Sequence, residues 1–256
     1  MKIQNKNKAR VTIIGAGPGD VDLITVKGLN IIQSADVILY DALTNPDLLH
    51  NAPKAKKIFV GKRSGKHSMK QEEINLLLVQ SAFRYGHVVR LKGGDPFIFG
   101  RGHEELEYVK AFNIPVDLVP GLSSATALSA LQEVPVTRRG ISESFWVLTG
   151  TTKAKQLSKD LHLAAQSSAT LVILMAIKKL PLIQEILLKA GKKDTPILII
   201  QNGSRSDEKR LLTTVEHVAE EAKAHQIGTP GIIIVGEVVS LHPAFINKQM
   251  IVKWNQ

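Results

Sequence analysis

The sequence predicts an α/β protein of two domains with mainly parallel sheets, and three observations carry that expectation. Short β-branched runs alternate with longer segments of helical period. Several of those runs are apolar on both faces, as strands covered by helices on each side must be. Glycine-rich stretches stand where strands end, which is where open α/β sheets place their ligands.

The predicted strands of the first half are Val11–Ile14, Asp36–Tyr40, Lys57–Val60, Val88–Leu91 and Val116–Val119. Those of the second are Phe145–Leu148, Leu171–Met175, Ile197–Ile200 and Gly231–Val235. Between them Ile24, Gly28, Ile31 and Ala35 make one helical stripe, and Ile74, Leu77, Leu78 and Ser81 a second. Ser68 with Gln71 forms a capping box ahead of the latter. Val215, Val218, Ala219 and Ala222 make a third stripe, with Glu220 and Glu221 facing water. A helix-like segment runs from Ser123 to Leu131, after Leu118-Val119-Pro120-Gly121 closes the first set of strands. The expected organisation is an N-terminal extension over 1–10, an α/β domain over 11–120, a second over 121–242 and a tail over 243–256.

Composition narrows the function. An apolar share of 44% over 256 residues supports a sizeable core. There are no cysteines, which excludes disulfides, thiolate metal sites and a cysteine nucleophile and suits a reducing cytosol. No apolar run approaches the roughly 18 residues that span a bilayer. The basic start MKIQNKNKAR leads into VTIIG with no signal-peptide core, so a cytoplasmic protein with no membrane partner is expected. The net charge of +10 favours an anionic partner or a solvated basic surface. The eight histidines show no metal-ligand spacing, and no metal is expected.

Gly15-Ala16-Gly17-Pro18-Gly19-Asp20 follows a strand and precedes a helix. Glycines there let the backbone turn sharply and approach a ligand. A dinucleotide fingerprint fits poorly, because Asp20 stands at the last glycine position and Pro18 stiffens the turn. A tight structural turn is the other reading. The stretch Arg90-Leu91-Lys92-Gly93-Gly94-Asp95-Pro96, continuing to Gly102, supplies a second such loop in the same half.

Taken together, GAGPGD, DVILYDALTNP, VGKRSGKHSMKQEEIN, VVRLKGGDPFIFGRG, VPGLSS, VPVTRRG, LVILMA, QNGS and GIIIVGEVV resemble the uroporphyrinogen-III C-methyltransferases of the tetrapyrrole methylase superfamily, over about residues 11 to 241. The resemblance implies the tetrapyrrole methylase fold, with a cofactor cleft between the two domains, and a homodimer. It implies two successive methyl transfers from S-adenosylmethionine (SAM) to C2 and C7 of uroporphyrinogen III, giving precorrin-2 on the way to sirohaem and cobalamin, with S-adenosylhomocysteine as product. By motif, Pro18, Gly93, Gly94, Asp95, Ile98, Ser123, Ser124, Met175 and Gly203 would contact SAM. Asp41 stands at the family's proton acceptor and Lys62 at its proton donor.

The chemistry suits these residue types. Methyl transfer is an in-line displacement in which the protein mainly aligns donor and nucleophile, an effect worth ~7 kcal/mol or more. Attack by a pyrrole carbon leaves a cation that must lose a proton, and a placed carboxylate such as Asp41 accepts it with a gain of about 10²- to 10⁴-fold. The structural alternatives are that Asp95 caps its own turn, Asp41 opens a loop and Met175 is core. The implied substrate carries carboxylates, which Arg63, Lys92, Arg101, Arg138 and Arg139 would meet, with Lys66 and Arg90 as further motif-embedded cations. Three positions depart from the family pattern: Arg138 stands for its usual histidine, His103 for glycine and Ala176 for glycine. The competing functions are a related methylase of another corrinoid precursor or of ribosomal RNA, an NAD-dependent oxidoreductase, and a non-catalytic anion-binding module. An aromatic content of 5% without aromatic–basic interleaving argues against a nucleic-acid partner.

Overall fold

The computed structural model describes residues 9–61 and 69–245. The chain divides into two compact units between Ser123 and Ser124. Each unit holds one five-stranded sheet.

The first unit is built on β1 (Arg10–Gly15), β2 (Val37–Tyr40), β3 (Lys56–Phe59), β4 (His87–Lys92) and β5 (Val116–Val119). They stand in the order β3-β2-β4-β1-β5, and every pairing is parallel. Helices α1 (Val26–Gln33), α2 (Gln71–Tyr85) and α3 (Gly102–Lys110) complete the unit. Alternate residues of one strand serve opposite faces. Val11, Ile13, Val37, Leu39 and Val88 join Ile74, Leu78 and Ala82 of α2 and Val109 of α3. Ile14, Ile38, Val89 and Leu91 pack instead with Ile32 of α1 and with Leu48 and Leu49. A sheet covered on both sides turns no face to water, which is why most of its strand residues are apolar.

Strand β1 begins one residue before the expected Val11, and Ala9 is already buried, because Arg10 pairs in register with His87 of β4. Ser68, expected to cap α2, lies outside the described residues; there the Glu73 carboxylate accepts the backbone N–H of Lys70. That carboxylate sits in the first turn, where it meets an otherwise unpaired donor and the positive end of the helix.

The second unit contains α4 (Ser124–Leu131), β6 (Phe145–Thr149), α5 (Asp160–Gln166), β7 (Thr170–Leu174), α6 (Leu180–Lys189), β8 (Pro196–Gln201), β9 (Lys209–Thr214), α7 (Val218–Ala224) and β10 (Gly231–Val235). Its sheet runs β6-β7-β10-β8-β9. Only β6 and β7 are parallel; β10 is antiparallel to both β7 and β8, and β8 to β9. Five of the eight pairings in the described residues are therefore parallel, so the sheets are mainly parallel as a pair while the second is mixed. Strand β9 has no counterpart among the predicted strands. One face of this sheet packs on Leu161, Ile183, Leu187, Val218 and Ala222 of the surrounding helices, and the other on Ala125 and Leu128 of α4 and on Val238 and Val239.

Candidate active site

In the first unit the carboxyl ends of β1 and β4 lie side by side, and the chain leaves them in opposite directions. From β1 it goes on to β2, beyond β4; from β4 it goes on to β5, beyond β1. Such a divergence opens a crevice at the sheet edge, the place where ligands of open α/β sheets bind. Both glycine loops start there.

Backbone alone fills the space between those loops. Gly17 and Gly94 exchange two hydrogen bonds, Gly94 N–H to Gly17 O at 2.7 Å and Gly17 N–H to Gly94 O at 3.3 Å. Ala16 N–H donates to Lys92 O at 2.7 Å. A Cβ on Gly15 would stand 2.5 Å from Gly121 Cα, and one on Gly121 would stand 2.4 Å from Gly94 O. Gly17 adopts φ +78°, which an L side chain rarely tolerates. These contacts account for glycine at 15, 17 and 121, and a φ of +66° accounts for glycine at 94. Gly93 differs: its missing side chain makes room for Leu43 Cβ, 2.6 Å from where a Cβ would lie.

Asp95 is turned onto this backbone. One carboxylate oxygen accepts the Phe97 N–H at 2.7 Å and the other the Gly121 N–H at 3.0 Å. The first contact caps its own turn, the structural alternative on sequence grounds, and the second braces the loops after β4 and β5 together. Each oxygen keeps a second lone pair for another donor. Ile98 is exposed between the exposed Phe97 and Phe99. Pro18 is half-buried, and the neighbouring Gly19 carbonyl accepts Asn45 Nδ2 at 2.9 Å, which ties the loop after β2 to the loop after β1.

Asp41 follows β2 at the same sheet edge, with its side chain 23% exposed. Its Oδ1 accepts the Leu43 N–H at 3.1 Å and the Thr44 hydroxyl at 3.4 Å, and its Oδ2 faces an Arg90 terminal nitrogen at 3.4 Å. Arg90 and Lys92 lie on the α3 side of β4 and are buried. Arg90 Nε and Lys92 Nζ both donate to Glu105 Oε1 of α3, at 3.2 and 2.9 Å, and Gln71 Nε2 of α2 donates to it at 3.0 Å. Burial works to raise the Glu105 carboxyl, but Arg90 and then Lys92 outweigh it and hold it below the usual carboxylate range. Burial, with Arg90 beside it, lowers the Lys92 ammonium.

Lys92 was expected to meet substrate carboxylates. In the structure its ammonium lies on Glu105 inside the unit, as does Arg90, because a strand covered on both faces hides every side chain it carries. Arg101 remains at the surface, in a left-handed backbone conformation, forked onto Glu104 at 2.6 and 3.0 Å. His103 is exposed, packs edge-on against Phe97 with 5.8 Å between ring centroids, and stands 3.4 Å from Glu107. Lys62 and Arg63, with Lys66, lie outside the described residues.

The second unit carries the rest of the expected residues. Met175 is 51% exposed at φ +56°, just past the end of β7, and its carbonyl accepts the Thr151 hydroxyl at 3.0 Å. Ala176 is fully buried, and its methyl lies 2.5 Å from where a Cβ of Gly150 would be, so the extra carbon is absorbed inside the unit. Gly203 is buried beneath Leu128 of α4, whose Cδ1 lies 2.5 Å from a would-be Cβ. Ser124 opens α4, and Ser123, of the first unit, immediately precedes it. Arg138 and Arg139 are exposed on a turn closed by two backbone hydrogen bonds between Arg138 and Ser142, both 2.9 Å.

The first unit offers backbone without side chains, the Asp95 carboxylate with acceptor capacity left and the exposed Ile98, features that a nucleotide-type ligand such as SAM could use. Among the described residues no group of three or more His, Cys, Asp or Glu could hold a metal.

The description of the tetrapyrrole (corrin/porphyrin) methylases matches residues 10–219. The chain belongs to that family. Among tetrapyrrole methylases it is 46% identical, over 91% of its length and 97% of the relative's, to the uroporphyrinogen-III C-methyltransferase of Methanocaldococcus jannaschii. It is 44% identical to sirohaem synthase 1 of Yersinia enterocolitica over 93% of this chain, which spans only 51% of that protein. A crystal structure of uroporphyrin-III C-methyl transferase from Thermus thermophilus, complexed with S-adenosylhomocysteine, superposes with a TM-score of 0.79 at 37% identity, covering 91% of this chain and 99% of that one. The predicted α/β class and the family resemblance both hold. The glycine loop after β1 thus belongs to a methylase and not to an NAD-dependent oxidoreductase.

Proposed function

We propose that this tetrapyrrole methylase is a SAM-dependent C-methyltransferase that acts on uroporphyrinogen III, transferring two methyl groups to give precorrin-2 for sirohaem and cobalamin. One observation carries the reading: 46% identity along almost the whole of a relative that bears this activity as its name.

SAM, when bound, supplies a sulfonium-activated methyl group. Gly93, Gly94, Asp95 and Ile98 of the first unit, with Pro18 and Ser123, would hold it, as would Ser124, Met175 and Gly203 of the second. Gly203 acts there through its backbone, since Leu128 occupies its side-chain position. Asp41 accepts the proton that the methylated pyrrole carbon must lose. Its carboxylate is already oriented by Leu43 and Thr44, and its partial exposure leaves it reachable. Lys62 donates a proton in this scheme. Arg63, Arg101, Arg138 and Arg139 are the cations proposed for the substrate's carboxylates, Arg101 exchanging Glu104 for one of them.

Incubation with uroporphyrinogen III and labelled SAM, followed by mass measurement of the product, tests the proposal. Two added methyl groups are expected; no transfer to this substrate overturns it. We further propose a cytoplasmic homodimer, in keeping with the family. Sedimentation equilibrium is expected at twice the 28.0 kDa chain mass, and a monomer at micromolar concentration refutes it.

A further inference from the structure

We propose that Glu105 is a positioning residue for Asp41, acting through the guanidinium of Arg90. The inference rests on the reading of Asp41 as proton acceptor.

Three contacts fix the plane of that guanidinium. Its Nε lies on Glu105 Oε1 at 3.2 Å, and one terminal nitrogen donates to Leu91 O at 3.0 Å and to Leu39 O at 3.4 Å. A planar fork held at Nε and at one end can point its other end in only one direction. Here that direction is Asp41 Oδ2, at 3.4 Å. The opposite oxygen of Asp41 is held by Leu43 and Thr44, so the carboxylate is gripped from both sides. Glu105 itself is held by Lys92 and Gln71, from β4 and α2, and its Oε2 is buried without a hydrogen-bond partner among the described residues.

Stability alone is a poor account of this arrangement. Burying two cations on one carboxylate oxygen carries a desolvation penalty that apolar side chains of the same volume would avoid. The formal charges of Arg90, Lys92, Glu105 and Asp41 do sum to zero, so the cluster closes on the one member that reaches the surface. Glu105 thus connects α3 to the reacting edge of the sheet.

The test is a double-mutant cycle. Glu105→Gln removes the charge at nearly constant volume and is expected to lower kcat about 10²-fold, the cost of a ~1 Å misplacement, while the KM for SAM stays within about twofold. In an Asp41→Ala background the same change is expected to have no further effect on kcat. Equal losses in both backgrounds would show a merely structural role and overturn the proposal, as would unaltered kcat in the single variant. Arg90→Lys serves if Glu105→Gln does not fold. It keeps the cation but cannot reach Glu105 and Asp41 together, and the same coupling is expected. A separate readout is the amide resonance of Leu43, whose N–H reports the Asp41 carboxylate. It is expected to move in Glu105→Gln and in Arg90→Lys, and a stationary resonance sinks the inference. Full turnover by Asp41→Ala would instead remove the proton-acceptor reading, with positioning still judged by that resonance.

Discussion

At Gly93 one missing carbon sets how closely β4 approaches the turn after β2. A Cβ there would meet Leu43 Cβ at 2.6 Å, and Leu43 sits two residues from Asp41, its N–H on the Asp41 carboxylate. Gly93→Ala therefore pushes on the turn that orients the proposed proton acceptor. Overpacking of this kind costs about 1–3 kcal/mol, and we expect a fall in both thermal stability and kcat. Because the clash is with Cβ itself, Leu43→Ala brings no relief, whereas Gly93→Ala with Leu43→Gly recovers part of both. Differential scanning calorimetry and steady-state rates would check this; no rescue by Leu43→Gly would show that Leu43 Cβ is not the obstacle. The sequence announces that something passes close to Gly93. It does not say that the intruder belongs to the protein, because a glycine records space needed and not the group that takes it. The same ambiguity holds at Asp95, where a loop brace and a ligand acceptor require one residue type.

Strands proved more legible than their partners. Gly231–Val235 and Val116–Val119 have the expected bounds, and the other seven predicted strands differ by one residue at one or both ends, since a β-branched run declares its own period. Strand β9 escaped because its residues, Lys-Arg-Leu-Leu-Thr-Thr, place polar groups at both ends and bury only Leu211 and Thr213. It is an edge strand, and exposed Lys209 and Arg210 suit an edge that must not recruit further strands. The antiparallel run β7-β10-β8-β9 was equally hidden, because apolar content reveals burial and not strand direction. Within β4 a signal was present. Arg90 and Lys92 lie two apart, hence on one face of a strand flanked by Val88, Val89 and Leu91. Two cations on a face that a helix must cover call for a buried anion on that helix. Glu105 answers, at the start of α3, where a pair of glutamates otherwise reads as the ordinary preference of a helix N-terminus.

For the molecule as a whole, a net charge of +10 says little about where the positive groups act, and two of its motif-embedded cations prove internal. Sensitivity to acid has a more local source. His87 opens β4 at the edge away from the glycine loops, with Nδ1 3.1 Å from the Arg10 guanidinium and Nε2 3.0 Å from the Thr12 hydroxyl. A guanidinium only donates, so Nδ1 is the acceptor and Nε2 carries the hydrogen. Burial first, and the Arg10 charge second, lower this imidazole below its ordinary 6.5, against a smaller pull from Ser34, Asp36 and Asp117. The unfolded chain therefore takes a proton that the native protein resists. The contribution is whole above pH 6.5 and is lost as the pH falls from there through the depressed native value. We expect stability to drop as the pH falls below about 6.5, by at most about 1.4 kcal/mol per unit on this account, and His87→Gln to flatten that slope. Denaturant melts across the range would decide, and parallel slopes for the two proteins would exclude His87 as the source.

Ala176 carries its methyl into the space that Gly150 leaves bare. A Cβ at 150 would meet not only that methyl but also the Ala176 Cα at 2.6 Å and the Met175 carbonyl oxygen at 3.0 Å. Glycine at 176 would therefore not admit alanine at 150: the bare position there is demanded by main chain, so homologues should keep glycine at 150 whichever of the two residues they carry opposite it.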